Sequence, residues 1–596
     1  HDRGCGRPPP EPLPCPPTMP RRPAATALLL VVAALLAGAA PAAAAEPVMP
    51  LSEVRAGMRC TGLSVVRGLE ISPFDVEVVD VVPGDPIARQ PLILVRVSGP
   101  AIDPTGIASG FSGSPVVCDG RIAGAIAYGT GDYGNQLGLA TPIEAMLGQP
   151  VPEPPGLEPH PAVRRARPLA TPIAVGGVAR AVVAPFARAA ARAGVALTAA
   201  PAAPVGDRYG PQALAPGSSV AIGLAGGDVS VGAVGTVTYV DGPRVYALGH
   251  AFTGTGRRSL LLQDAWVHTV IDNPLGVDPA VSAKLASPGH DLGAITYDGR
   301  DGVTGVLGAL PPLTTLRIAA RNGATGERRD ATAHVADEAD VGLPDGASPL
   351  PLVAPIAAAQ AAYALLDGSP AAQSARMCAT IALRELPRPA RFCRRYVGRY
   401  GGGGNVGGPY VSDLVSALSL IDRFPYGTPH VTAVDVDLTV EPGLRQALLL
   451  GVHGPRVLRR GTTATLTLEL QRYRGGRFTR RVALRVPRDA PLGPRVVRLT
   501  GTGLDGAVSS EEIEIVIGRP EEDDGGESGP RTFAALARRI GAMSGWDGVR
   551  VAFRGPGGRG GGRAQRLYRD PQLRISGNAS YRALVVGGVS RAGSRR

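Results

Sequence analysis

Apolar positions in this chain recur mainly with a period of two, in short runs broken by Gly, Pro and Asp. Residues 46–150 contain LSVVRG, FDVEVVDVV, LILVRVSG, SPVVCDG and IAGAIAYG, each read as a strand. Asp119-Gly120 reads as a hairpin turn, and Thr141-Pro142 opens a short helix, IEAML, with Thr141 as its cap. Residues 151–215 form a Pro/Ala/Arg-rich connection, with a strand in ARPLATPIAVGGV and a helix in VVAPFARAAARAG. Residues 216–330 return to strands, including TVTYV, a turn at Asp241-Gly242-Pro243, VYALGHAF, AWVHTVI, DLGAITYD and VTGVLG. The period lengthens in residues 331–428, a partly helical region where Leu414, Leu418 and Ile421 share a face. Residues 429–520 alternate again, through VDVDLTV, ATLTLELQRY, RRVALRVP, RVVRLTG and EEIEIVIG, as an immunoglobulin-like sandwich would. Residues 521–596 read as an acidic linker, one further helix in TFAALARRIGAM, and an Arg/Gly-rich solvated tail.

Composition supports a mainly β reading. The chain has 81 Gly and 58 Pro but only 4% aromatic residues, which favours strands with many turns. The formal charge of +12 comes almost wholly from the 14 arginines and two acidic residues of 531–596. That stretch lacks the basic face with interleaved aromatics that nucleic-acid binding requires, so nucleic acid is not expected as a partner. Lys284 is the single lysine. No Cys/His spacing points to a metal, and no cofactor is expected.

Residues 1–18 read as upstream translated sequence, and 19–45 as a signal peptide with Arg21-Arg22, an apolar run and small residues before Glu46. No other stretch reaches the ~18 apolar residues of a membrane span. A secreted, periplasmic or cell-envelope location follows. Four cysteines lie beyond the leader, and an oxidising compartment favours disulfides. The preferred pairing is Cys60–Cys118 with Cys378–Cys393.

The candidate chemistry centres on residues 106–129, GIASGFSGSPVVCDGRIAGAIAYG. A Gly/Ser turn between apolar strands lets backbone N–H groups converge beside a serine Oγ, as acyl transfer needs. The same residues also suit a hairpin without chemistry. His250, after Gly249 at a strand end, is the second candidate. His268 at an alternating position reads as structural, and His290 as a loop residue.

With their flanks, FDVEVVDVVPG and LILVRVSG before the serine and KLASPGHDLGAITYDGRDGVTGVLG after YALGHAFTGTG, these segments resemble the SpoIVB peptidase family of sporulation-type serine peptidases. The resemblance spans roughly residues 50–150 and 216–320. It implies a chymotrypsin-like double β-barrel in two halves, with Ser112 rather than Ser114 as nucleophile and His250 as general base. It also places Gly110 and Ser112 N–H groups in the oxyanion hole. Phe111 stands where the family has Met. The serine segment here precedes the histidine segment, the reverse of the family's order, so the halves read as permuted; geometry, not chain order, makes a triad. The family's acid position falls on Val97, and the aspartate that follows its Gly-His falls on Gly254. Asp264, Asp103 and Asp75 are the substitutes, with Asp264 first if it approaches His250. No PDZ-like module is seen. The expected activity is a serine endopeptidase acting on a protein or peptide substrate; the alternative is an inactive peptidase-fold scaffold of the envelope.

Overall fold

A computed structural model describes residues 46–84, 89–131, 133–153, 155–157, 160–192, 197–200, 208–272, 282–343, 348–399, 408–505, 529–555 and 564–588. The leader, the EEIEIVIG run and the acidic linker fall outside the described residues. The fold is mainly β, with 51% of residues in strands.

The first six strands are β1 (Arg59–Arg67), β2 (Glu70–Val82), β3 (Leu92–Ser98), β4 (Pro115–Cys118), β5 (Arg121–Gly129) and β6 (Leu137–Pro142). They pair antiparallel in the ring β4-β1-β2-β3-β6-β5, and the β4–β5 pairing closes a barrel. Alternation drives it: Phe74, Val76 and Val78 of β2 are buried while Asp75 and Glu77 face out. Asp119 and Gly120, both at positive φ, make the β4–β5 turn. The disulfide Cys60–Cys118 ties β1 to β4.

Helix α1 (Ile143–Met146) follows directly, without a side-chain cap. Thr141 is not the cap that its position suggests; its hydroxyl is used across the molecule, as described below. The connection holds α2 (Pro161–Arg165), β7 (Arg167–Pro168), β8 (Ile173–Gly176), α3 (Arg180–Arg192) and β9 (Leu197–Ala199).

Strands β10 (Ser219–Gly227), β11 (Ser230–Asp241), β12 (Arg244–Ala247), β13 (Gly256–Ile271), β14 (Ala283–Gly299) and β15 (Gly302–Leu307) form a second ring. Its order is β10-β13-β14-β15-β12-β11, closed by β10–β11. The sheet then runs on through β17 (Arg328–Ala336), β16 (Leu313–Asn322), β20 (Val431–Pro442), β18 (Ala372–Leu383) and β19 (Ala390–Arg399). Helices α4 (Leu350–Leu365) and α5 (Tyr410–Asp422) pack on this sheet in one core, with Val353, Ile356 and Leu414 fully buried. The region read as partly helical therefore also holds β18 and β19, joined by the disulfide Cys378–Cys393. Strand β20, whose VDVDLTV pattern places it with the sandwich, instead lies between β16 and β18. Alternation identifies a strand but not the sheet it joins.

The C-terminal part is two sheets around one core. Strands β21 (Gln446–His453), β22 (Val457–Arg459), β23 (Thr463–Arg472), β24 (Arg477–Arg485) and β25 (Gly493–Thr500) precede α6 (Phe533–Ala542). Then come β26 (Val549–Arg554), β27 (Gln565–Tyr568), β28 (Arg574–Ser576) and β29 (Asn578–Val586). The sheets are β24-β23-β21-β28 and β22-β29-β25-β26-β27. The Arg-rich segment is thus not a solvated tail over its described residues. Arg550, Arg554, Arg566 and Arg582 face outward, Arg574 is buried against Asp505, and Val551, Ile575 and Val585 complete the core.

Candidate active site at the barrel junction

The turn between β3 and β4 presents Ser112. Gly110 and Gly113 both take φ +92°, a conformation that glycine allows and side chains resist. A Cβ on Gly113 would stand 2.0 Å from the Thr236 carbonyl oxygen, so only glycine lets the turn approach β11. There the Thr236 N–H donates to Ser112 O (2.8 Å), Thr236 Oγ1 to Gly110 O (2.9 Å) and Thr238 Oγ1 to Gly113 O (2.8 Å). The second barrel thereby fixes the first barrel's turn.

Two peptides of the turn are held by their carbonyls. Ser109 O accepts from the Lys284 N–H, and Phe111 O from the Ser114 N–H, each at 2.9 Å. The N–H groups of those peptides belong to Gly110 and Ser112, and neither has a partner among the described residues. Donors fixed in orientation and left unused are what an oxyanion requires.

His250 follows two consecutive residues at φ +70°, Leu248 and Gly249. For a leucine this backbone costs on the order of 1–3 kcal/mol, which its burial against Gly235 offsets. A Cβ on Gly249 would crowd Ala125 and Ala127 at 3.1 Å, so the histidine segment meets the first barrel closely. His250 Nε2 lies 2.7 Å from Ser112 Oγ. His250 Nδ1 lies 2.8 Å from the Ala251 carbonyl. A carbonyl only accepts, so Nδ1 carries the proton and Nε2 is free to accept from the serine hydroxyl. The backbone carbonyl therefore sets the tautomer that a carboxylate sets in a triad.

A carboxylate acts one step further out. Asp298 accepts from the N–H groups of Phe252 (2.8 Å), Thr253 (2.7 Å) and Gly254 (2.9 Å) and from Thr253 Oγ1 (2.8 Å). It braces the loop that carries the Ala251 carbonyl. Arg258 stands 3.6 Å from Asp298 and makes a two-pronged contact with Glu338. Burial pushes the His250 imidazole below its ordinary range; the Ala251 bond and the Asp298 charge oppose this without overcoming it.

The three acid candidates lie elsewhere. Asp264 accepts from Tyr209 OH (2.9 Å) and from the N–H groups of Gln212 and His290, and its Oδ2 lies 3.1 Å from His290 Nδ1. His290 is correspondingly a strand residue of β14 rather than a loop residue. Asp103 caps its own turn by accepting from the Gly99 N–H. Asp75 is exposed on the outer face of β2. His268 bonds to Ser287 Oγ at 2.9 Å, apart from the Ser112–His250 pair. Sequence reasoning missed Asp298, the last residue of DLGAITYD, a run read only as a strand. No local signal marked it, because the Phe252–Gly254 amides reach it across 44 or more residues.

Among the described residues no group of three or more His, Cys, Asp or Glu could hold a metal, and no helix is long and apolar enough to cross a membrane. Compared with known protein families, curated proteins and solved structures, the chain matches none.

Proposed function

We propose that this chain is a secreted or envelope-associated serine endopeptidase with Ser112 as nucleophile and His250 as general base. The observation that carries the reading is the 2.7 Å contact from Ser112 Oγ to an unprotonated His250 Nε2. As Oγ attacks a peptide carbonyl, its proton passes to Nε2, and the oxyanion turns toward the Gly110 and Ser112 N–H groups. His250 then protonates the leaving amine, and a water, activated by the same nitrogen, hydrolyses the acyl-enzyme. The imidazolium formed in between is supported by the Ala251 carbonyl and the charge of Asp298. Without a carboxylate on Nδ1 the support is weaker than in a triad, where mis-setting the tautomer costs about 10⁴ in rate; here the tautomer itself is kept.

A serine from one six-stranded barrel and a histidine from the next support the chymotrypsin-like arrangement and the resemblance to SpoIVB peptidases, with the halves permuted. The signal-like leader and two disulfides support the extracytoplasmic location. The C-terminal sheets fit an immunoglobulin-like module that would position partners or attach the enzyme.

Burial favours a second reading, an inactive scaffold: Ser112 is 0% and His250 2% exposed. A fluorophosphonate probe separates the two. The enzyme reading expects labelling of the wild-type chain and none of Ser112→Ala. Equal signals, or no signal at any pH, would leave the scaffold.

A further inference from the structure

Lys284 is the single lysine of a chain whose other strongly basic side chains are all arginine. It lies on β14, 4% exposed, and no carboxylate pairs with it among the described residues. It touches three successive residues of the nucleophile turn. Its N–H donates to Ser109 O, and its stem lies 3.0–3.1 Å from where a Cβ on Gly110 would sit. Its Nζ stands 4.8 Å from the centre of the Phe111 ring.

The amine reaches Ser64 Oγ on β1 (2.8 Å) and Thr236 Oγ1 on β11 (3.1 Å), and Thr236 passes the contact on to the Gly110 carbonyl. Opposite it on β13 stands Val270. The surrounding elements therefore bring it hydroxyls and apolar groups. The site's other titratable group is His250, bonded to Ser112. Burial without a counter-ion pulls the Lys284 amine down to about 7. An arginine would stay charged there at any working pH; lysine is the strongly basic residue that can be either charged or neutral.

We propose that Lys284 is a positioning residue of the nucleophile turn, holding Ser109–Phe111 in place and lending that turn positive charge as the oxyanion forms. This rests on the hydrolase reading above. Negative charge beside the turn favours the ammonium form, so an adduct on Ser112 and protonation of Lys284 reinforce each other. In the free protein the amine is charged below about 7 and neutral above it. Reactivity at Ser112 then falls as pH rises through that value.

The lone lysine makes the test direct. Full-length protein grown with isotopically labelled lysine gives one side-chain reporter resonance, which is titrated before and after reaction with a fluorophosphonate. The free protein is expected to titrate near neutrality, and the Ser112 adduct at least about one pH unit higher, a tenfold gain in proton affinity. A free midpoint within about one unit of the ordinary lysine value, or a midpoint the adduct does not move, overturns the proposal. Lys284→Met is expected to label about tenfold more slowly or worse, short of the ~10²–10³ lost with a direct oxyanion donor, and to lose the alkaline fall. Its thermal midpoint should hold or rise, since a buried charge is removed. A variant that unfolds more easily yet keeps the alkaline fall marks Lys284 as packing only and overturns the proposal. No label on Ser112 at any pH ends the hydrolase reading and this inference together, whereas label with an unresponsive lysine ends this inference alone.

Discussion

Thr141 Oγ1, on the first barrel, donates a 2.6 Å hydrogen bond to the carbonyl of Gly249, the residue before the second barrel's histidine. The contact is buried, and it mirrors the hold that Thr236 has on the serine turn. Each barrel thus fixes the reactive segment of the other. Thr141→Val keeps the shape and removes the donor, leaving a buried carbonyl unsatisfied at a cost of about 1–3 kcal/mol. The expected result is a lower rate of fluorophosphonate labelling with little change in secondary structure by circular dichroism. An unchanged rate would show that the Gly249 backbone holds without this bond.

Asp298→Asn tests the outer carboxylate. The amide retains one acceptor oxygen where four donors converge, and the charge that raises His250 is lost. Labelling is expected to slow, and its acid limb to move to lower pH. A slowed rate with an unmoved limb would assign Asp298 a role in loop shape only.

The pH dependence has a definite sign. His250 and Lys284 both bind protons less readily in the folded chain, so the unfolded chain holds more protons and stability climbs with pH. His250 contributes this rise below its ordinary 6.5, and Lys284 contributes between about 7 and its ordinary 10.5. Denaturant midpoints measured across pH should show both segments, and Lys284→Met should flatten the upper one alone. For reactivity, neutral His250 persists below 6.5, so the acid limb of labelling should fall below that value.

The disulfides enclose 58 and 15 residues. Loop-closure entropy assigns about 4 kcal/mol to Cys60–Cys118 and about 3 kcal/mol to Cys378–Cys393. The double variant Cys60→Ala/Cys118→Ala should therefore lose more stability in urea than Cys378→Ala/Cys393→Ala. It should also lose Ser112 labelling, because Cys118 ends the strand that follows the serine turn.

The parts of the site legible in the sequence are those carried by contiguous residues. Ser112 and Gly110 sit in one glycine-rich hexapeptide, and His250 follows a glycine at a strand end. The parts that were not legible depend on closure of the second ring. Asp298 meets Phe252–Gly254 from 44 or more residues away, and Lys284 meets Ser64 across 220. Neither residue departs locally from an ordinary strand. The same limit applies to β20, whose alternation fits any sheet. In β26, β27 and β29, outward arginines, with glycines between the strands, mask a two-residue period that only the partner strands reveal.

The reciprocal hold of the barrels has a consequence for biosynthesis. The serine half leaves the ribosome first, and its base lies 138 residues downstream. Until the second ring has closed against it, a nascent chain carries a serine with nothing to take its proton and a turn with nothing to shape it. A split at the 151–215 connection should accordingly yield two inert pieces that gain reactivity only on reassociation, so the timing of reactivity is written into the order of translation.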